Sequence, residues 1–64
     1  MVKVTIMIWF ETETGEPRFR DLEVSMFAWD AQDSADFHAA NHRNGQCKIF
    51  ENSTGKVIAR SGFE

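Results

Sequence analysis

The 64-residue chain has one cysteine, one proline and no apolar run approaching the roughly 18 residues that cross a membrane. A lone Cys47 cannot close an internal disulfide, and with His38 and His42 it makes only three nitrogen or sulfur ligands. A disulfide scaffold is therefore excluded, and neither a metal nor any other cofactor is expected. The N-terminus lacks the basic start and small-residue cleavage site of a secretory signal, so a reduced, cytoplasmic setting is expected. There is no glycine-rich phosphate loop; Ser53-Thr54-Gly55-Lys56 lacks the helix that should follow one. Repeats, linkers and low-complexity segments are also missing, so residues 1–64 read as one small domain. A chain of this length hides only about 60% of its unfolded surface, and its core supplies a few kcal/mol net.

What is present is a soluble globular composition, 42% apolar and 27% charged, with charge unevenly divided. Residues 1–36 carry a net −5 and residues 37–64 a net +2. An acidic balance disfavours direct nucleic-acid binding, because each phosphate contact needs a cation to displace condensed counterions.

Val2 to Phe10 alternates with period two, placing Val2, Val4, Ile6, Ile8 and Phe10 on one face and Lys3, Thr5, Met7 and Trp9 on the other. That spacing predicts a strand. Glu11 to Pro17 reads as a turn, with Gly15 free to take positive φ and Pro17 unable to donate to a ladder. Phe19 to Ala28 alternates again, with Leu22, Val24, Met26 and Ala28 on one face and Phe19 and Phe27 on the other.

A helix is predicted over Ala31 to Arg43. Asp30 suits its N-cap, Asp33 suits the positive end of the dipole, and Asn44-Gly45 reads as the stop. Ala31, Ala35 and Ala39 form a narrow stripe that lets the helix lie close to a sheet, with His38 and His42 flanking it. Phe37 points to the opposite side, among Asp33, Asp36, Ala40 and Asn41. Gln46–Glu51 and Lys56–Ser61 read as two short strands joined by Asn52-Ser53-Thr54-Gly55. The layout is ββαββ. It predicts an α+β domain in which one helix packs on one face of a four-stranded antiparallel sheet of order 2-1-3-4.

Catalysis finds little support in this pattern. His38, His42 and Cys47 match part of a zinc site, yet no clustered fourth ligand is evident. Cys47 falls inside a strand beside Ile49, where a thiol behaves as a small buried hydrophobe and not as a nucleophile. Paired carboxylates are numerous, but nothing sets two across a pocket. No catalytic residue is expected, and the chain does not read as an enzyme.

The geometric signal is stronger. One helix covers only one face of a sheet, so Val4, Ile6, Ile8, Leu22, Val24 and Met26 should meet the helix. Met7, Trp9, Phe19, Phe27 and Phe50 should then lie on the open face, unless Trp29, the termini or the first turn fold over it. Aromatic and methionine side chains are the usual anchors of interfaces. The expected protein-contact residues are Trp9, Phe27, Phe37 and Phe50, with Glu13, Asp33 and Asp36 supplying charge. The partner is expected to be a protein with a basic surface, such as a complex that handles nucleic acid. One alternative is a homodimer, structural or regulatory, whose sheet faces pair. Another is a single-stranded nucleic-acid binder using Lys48, Phe50, Ile58 and Arg60 of the second hairpin.

The element order, together with Met26 to Ala40 (MFAWDAQDSADFHAA), resembles compact inhibitors encoded by bacteriophages and other mobile elements. These include the small RNA-polymerase inhibitors of T7-like phages and several anti-CRISPR proteins. The resemblance carries over no functional residue. It implies a non-catalytic protein that works by occupying a surface of a larger host complex.

Overall fold

β1 (Val2–Glu11) and β2 (Pro17–Met26) form a long antiparallel hairpin, in register from Val2↔Met26 to Glu11↔Pro17. They open a computed structural model that describes residues 1–62. The turn closes where the Gly15 N–H donates to the Thr12 carbonyl at 2.9 Å, with Gly15 at φ +83°. β2 starts two residues earlier than the alternation suggests. Pro17 can begin it because β2 is an edge strand, where a missing N–H leaves no ladder bond unmade. It also ends two residues early. The Phe27 carbonyl accepts from the Asp30 N–H at 3.0 Å, and a short 3-10 turn covers Ala28–Asp30.

That turn runs directly into α1 (Ala31–Ala40) and overturns the expected cap. Asp30 has helical backbone, φ −93° and ψ −6°, and its side chain makes no capping hydrogen bond. The preceding turn already occupies the start of the helix, since the Ala31 N–H donates to the Ala28 carbonyl. α1 also stops three residues short of Arg43. Asn41 closes it twice over, its backbone N–H and its Nδ2 both donating to the Phe37 carbonyl, at 3.0 and 2.8 Å. Asn44, at φ 49°, and Gly45 shape the link onward to β3 and not the helix end itself.

β3 (Gln46–Glu51) and β4 (Val57–Ser61) complete a single antiparallel sheet of order β2-β1-β3-β4. This is the expected α+β arrangement. α1 lies over β4, β3 and β1 on one side only. Its buried Ala31 and Ala35 meet Val4, Ile6 and Ile8 of β1, Cys47 and Ile49 of β3, and Ala59 of β4. Small helix residues allow the close approach, and each fully buried isoleucine contributes about 1.5–3 kcal/mol.

Two expectations about facing fail for tertiary reasons. Leu22 and Val24 share the helix side of the sheet, yet Val24 stays 39% exposed. A helix is about 10 Å across, whereas four strands at about 4.8 Å spacing are wider, so α1 cannot also roof β2. On β4 a bulge separates the pairs Ile49↔Ala59 and Phe50↔Val57. The extra residue, Ile58, packs against the core and not beside Lys48, Phe50 and Arg60. Among the described residues no helix is long and apolar enough to cross a membrane.

Candidate functional site

The seven expected contact residues fall on separate surfaces. Trp9 and Phe50 occupy the open face of the sheet, opposite α1, because they alternate with buried Ile8 and Ile49. Trp9 lies against Phe19 of β2, ring centroids 5.2 Å apart and planes tilted by 50°. Phe50 sits further along, beside a shallow depression of about 280 Å³ that Thr5, Met7 and Asn52 also line. Met7 and Lys48 separate the two aromatics in the strand register.

Phe27 lies one residue beyond β2, with extended backbone at φ −74° and ψ 136°. It stacks on Trp29, centroids 5.5 Å apart and planes 16° from parallel. Both are open to solvent, Trp29 at 77% exposure. Trp29 therefore does not fold over the sheet. Its place was readable only from spacing: it precedes Asp33 by four residues and Phe37 by eight.

The Phe27–Trp29 pair precedes α1, whose outer side carries the next group. Phe37 is 63% exposed, and Asp33 and Asp36 are exposed around it. The buried Ala31 and Ala35 lie on the other side of the helix, which is what sends Asp33 and Phe37 outward. Asp36 accepts from Gln32 Nε2 at 3.2 Å, and the same nitrogen donates to the Arg60 carbonyl at 2.8 Å. The Phe37 ring meets the His38 ring edge-on at 5.4 Å.

Glu13 belongs to another surface. It sits in the β1–β2 turn, which follows the hydrogen bond from the Glu11 N–H to the Arg43 carbonyl, beyond the C-terminal end of α1. The acids beside it are engaged locally. Glu16 pairs with Arg18 at 2.8 Å and Glu11 accepts from Asn44 Nδ2 at 3.0 Å. Glu13 thus joins neither the helix acids nor the sheet aromatics.

The groups suited to chemistry are dispersed or quenched. Cys47 is fully buried, and desolvation pushes its thiol up to about 11. Such a thiol is not a nucleophile at neutral pH. His42 directs Nδ1 to the His38 carbonyl at 2.7 Å and packs its ring on Phe10 at 4.7 Å. Among the described residues no three of the histidines, cysteine and carboxylates gather where they could hold a metal ion. What remains is a small α+β domain with aromatics and acids displayed on a helix. Comparison with family models, characterised proteins and solved structures finds no match for the chain.

Proposed function

We propose that this chain is a non-catalytic protein-binding module that docks the outer side of α1 on a basic surface of a larger complex that handles nucleic acid. It would act there as an inhibitor, in the manner of the phage-encoded and anti-CRISPR proteins whose element order it resembles. One observation carries this reading: Phe37 stands 63% exposed on the same outer side of α1 as exposed Asp33 and Asp36, on a helix already anchored from behind. Within the chain this exposed ring gains only its edge-on contact with His38 and contacts with its own helix neighbours, whereas in an interface an aromatic is the residue type that most often anchors binding. The flanking carboxylates select a basic partner and speed its capture. Trp29 and Phe27, stacked on each other just ahead of the helix, add a second exposed aromatic pair.

The second hairpin suits nucleic acid less well. With Ile58 turned to the core, Lys48, Phe50 and Arg60 share their face with Asp21 and Glu23. Those carboxylates repel a phosphate backbone.

A photoreactive phenylalanine analogue placed at position 37 tests the proposal in host lysate. It should crosslink a basic protein, and Asp33→Lys with Asp36→Lys should abolish the product while circular dichroism stays unchanged. Lys48→Glu with Arg60→Glu should leave the product intact. The opposite pattern, loss only with the hairpin reversals, would overturn the proposal.

A further inference from the structure

We propose that the open face of the sheet is a self-complementary surface for a second copy of this chain, with a two-fold axis parallel to the strands. The strand register supplies the reason. Asp21, Met7, Lys48 and Arg60 form one row across β2, β1, β3 and β4. The next row is Glu23, Thr5, Phe50 and Val57. Negative charge thus collects at the β2 margin and positive charge at the β3–β4 side, with apolar groups among them.

Such a face can meet itself in two aligned ways. A two-fold axis perpendicular to the strands sets β2 on β2 with its direction reversed, so Asp21 and Glu23 meet the acidic margin of the other copy, and like charges repel. An axis parallel to the strands sets β2 on β4 and β1 on β3. Asp21 of each copy then faces Arg60 of the other, twice, by symmetry. Complementary charge therefore selects the parallel axis. Within one chain the pair cannot form, because three strand spacings of about 4.8 Å separate the two residues. Among the described residues neither side chain has an ion-pair partner.

The apolar content fits the same arrangement. Met7 and Phe50 lie half-buried with α1 on the far side of the sheet, while Phe19 and Val57 are 49% and 43% exposed. Sheets pack face to face about 10 Å apart at roughly −30°, which such side chains fill. The part of the face that all four strands share is limited by β3 and β4 and offers on the order of 500 Å² per copy, less than the roughly 800 Å² of a standard interface. The dimer should therefore be weak, with a Kd in the micromolar range or above. This surface is separate from the outer side of α1, so either can fail without the other.

Sedimentation equilibrium up to about 1 mM chain tests the inference, since that range brackets micromolar association. The wild-type chain should dimerise. Asp21→Arg and Arg60→Asp should each weaken dimerisation at least about tenfold, and the double variant should restore it. Both residues are exposed, so the variants should fold. Amide shifts of the wild-type chain give an independent readout, moving with concentration at Met7, Asp21, Phe50 and Val57 and not from Asp33 to Phe37. A strict monomer overturns the inference. So does a double variant no better than the singles, or concentration-dependent shifts confined to α1.

Discussion

His42 turns Nδ1 back onto the carbonyl oxygen of His38, 2.7 Å away, just past the end of α1. A carbonyl only accepts, so this nitrogen carries the proton, and the bond satisfies one of the carbonyls a helix end leaves open. The Phe10 ring, 4.7 Å from that of His42, ties the same corner to the sheet. Two histidines with the spacing of metal ligands thus serve to fasten the helix end.

His38 makes stability depend on pH. Burial first, then the neighbouring His42 and Arg20, hold His38 below its ordinary value of 6.5. Between the folded and unfolded values the unfolded chain binds more protons, so the contribution of His38 is full above about pH 6.5 and falls as pH drops through that point. Urea midpoints at about pH 7.5 and about pH 5.5 should show a loss on acidification, and His38→Gln should shrink it. An equal loss in the variant would assign the effect elsewhere.

Cys47 should resist alkylation in the folded chain. With the thiol at about 11 rather than 9.0, the thiolate fraction at neutral pH falls about a hundredfold. Iodoacetamide should therefore modify native protein at least about a hundred times more slowly than urea-unfolded protein. EDTA should leave the melting temperature unchanged, since a structural metal would contribute folding energy directly. A chelation-induced collapse reversed by zinc would instead make ligands of His38, His42 and Cys47.

Gly45 should not tolerate a side chain. A Cβ there would strike the Ala39 carbonyl oxygen and lie 3.0 Å from both the Cβ and the carbonyl oxygen of His42. These neighbours are mostly backbone in the link between α1 and β3, so they have little room to yield. Gly45→Ala should cost about 1–3 kcal/mol, a large share of the few kcal/mol available to a domain this small. Denaturant titration measures it, and a midpoint equal to wild type would contradict the contact.

Much of the fold could be read from local pattern. Val4, Ile6 and Ile8 recur with period two and form the centre of the core, and Ala31 and Ala35 recur with period four on the buried side of α1. The same helical period sends Asp33 and Phe37 outward. The helix cap was misread because Asp30 has the right chemistry in the wrong backbone. A 3-10 turn beginning at Ala28 depends on where β2 stops, and β2 stops where Val2, its last partner on β1, begins.

The candidate surfaces divide along the same line. Which residues are apolar, which are charged and which face of a regular element most of them occupy are matters of periodicity, and the sequence alone determined them. Which elements end up covered was decided only in three dimensions. α1 roofs β1, β3 and β4 and leaves Val24 of β2 exposed, because one helix is narrower than the sheet beneath it. The β4 bulge turns Ile58 inward, and Phe27 leaves the sheet to stack on Trp29. The row from Asp21 to Arg60 exists only because four strands pair in this order and register. Periodicity acts within one segment, whereas coverage and register are properties of segments meeting, and no single segment encodes them.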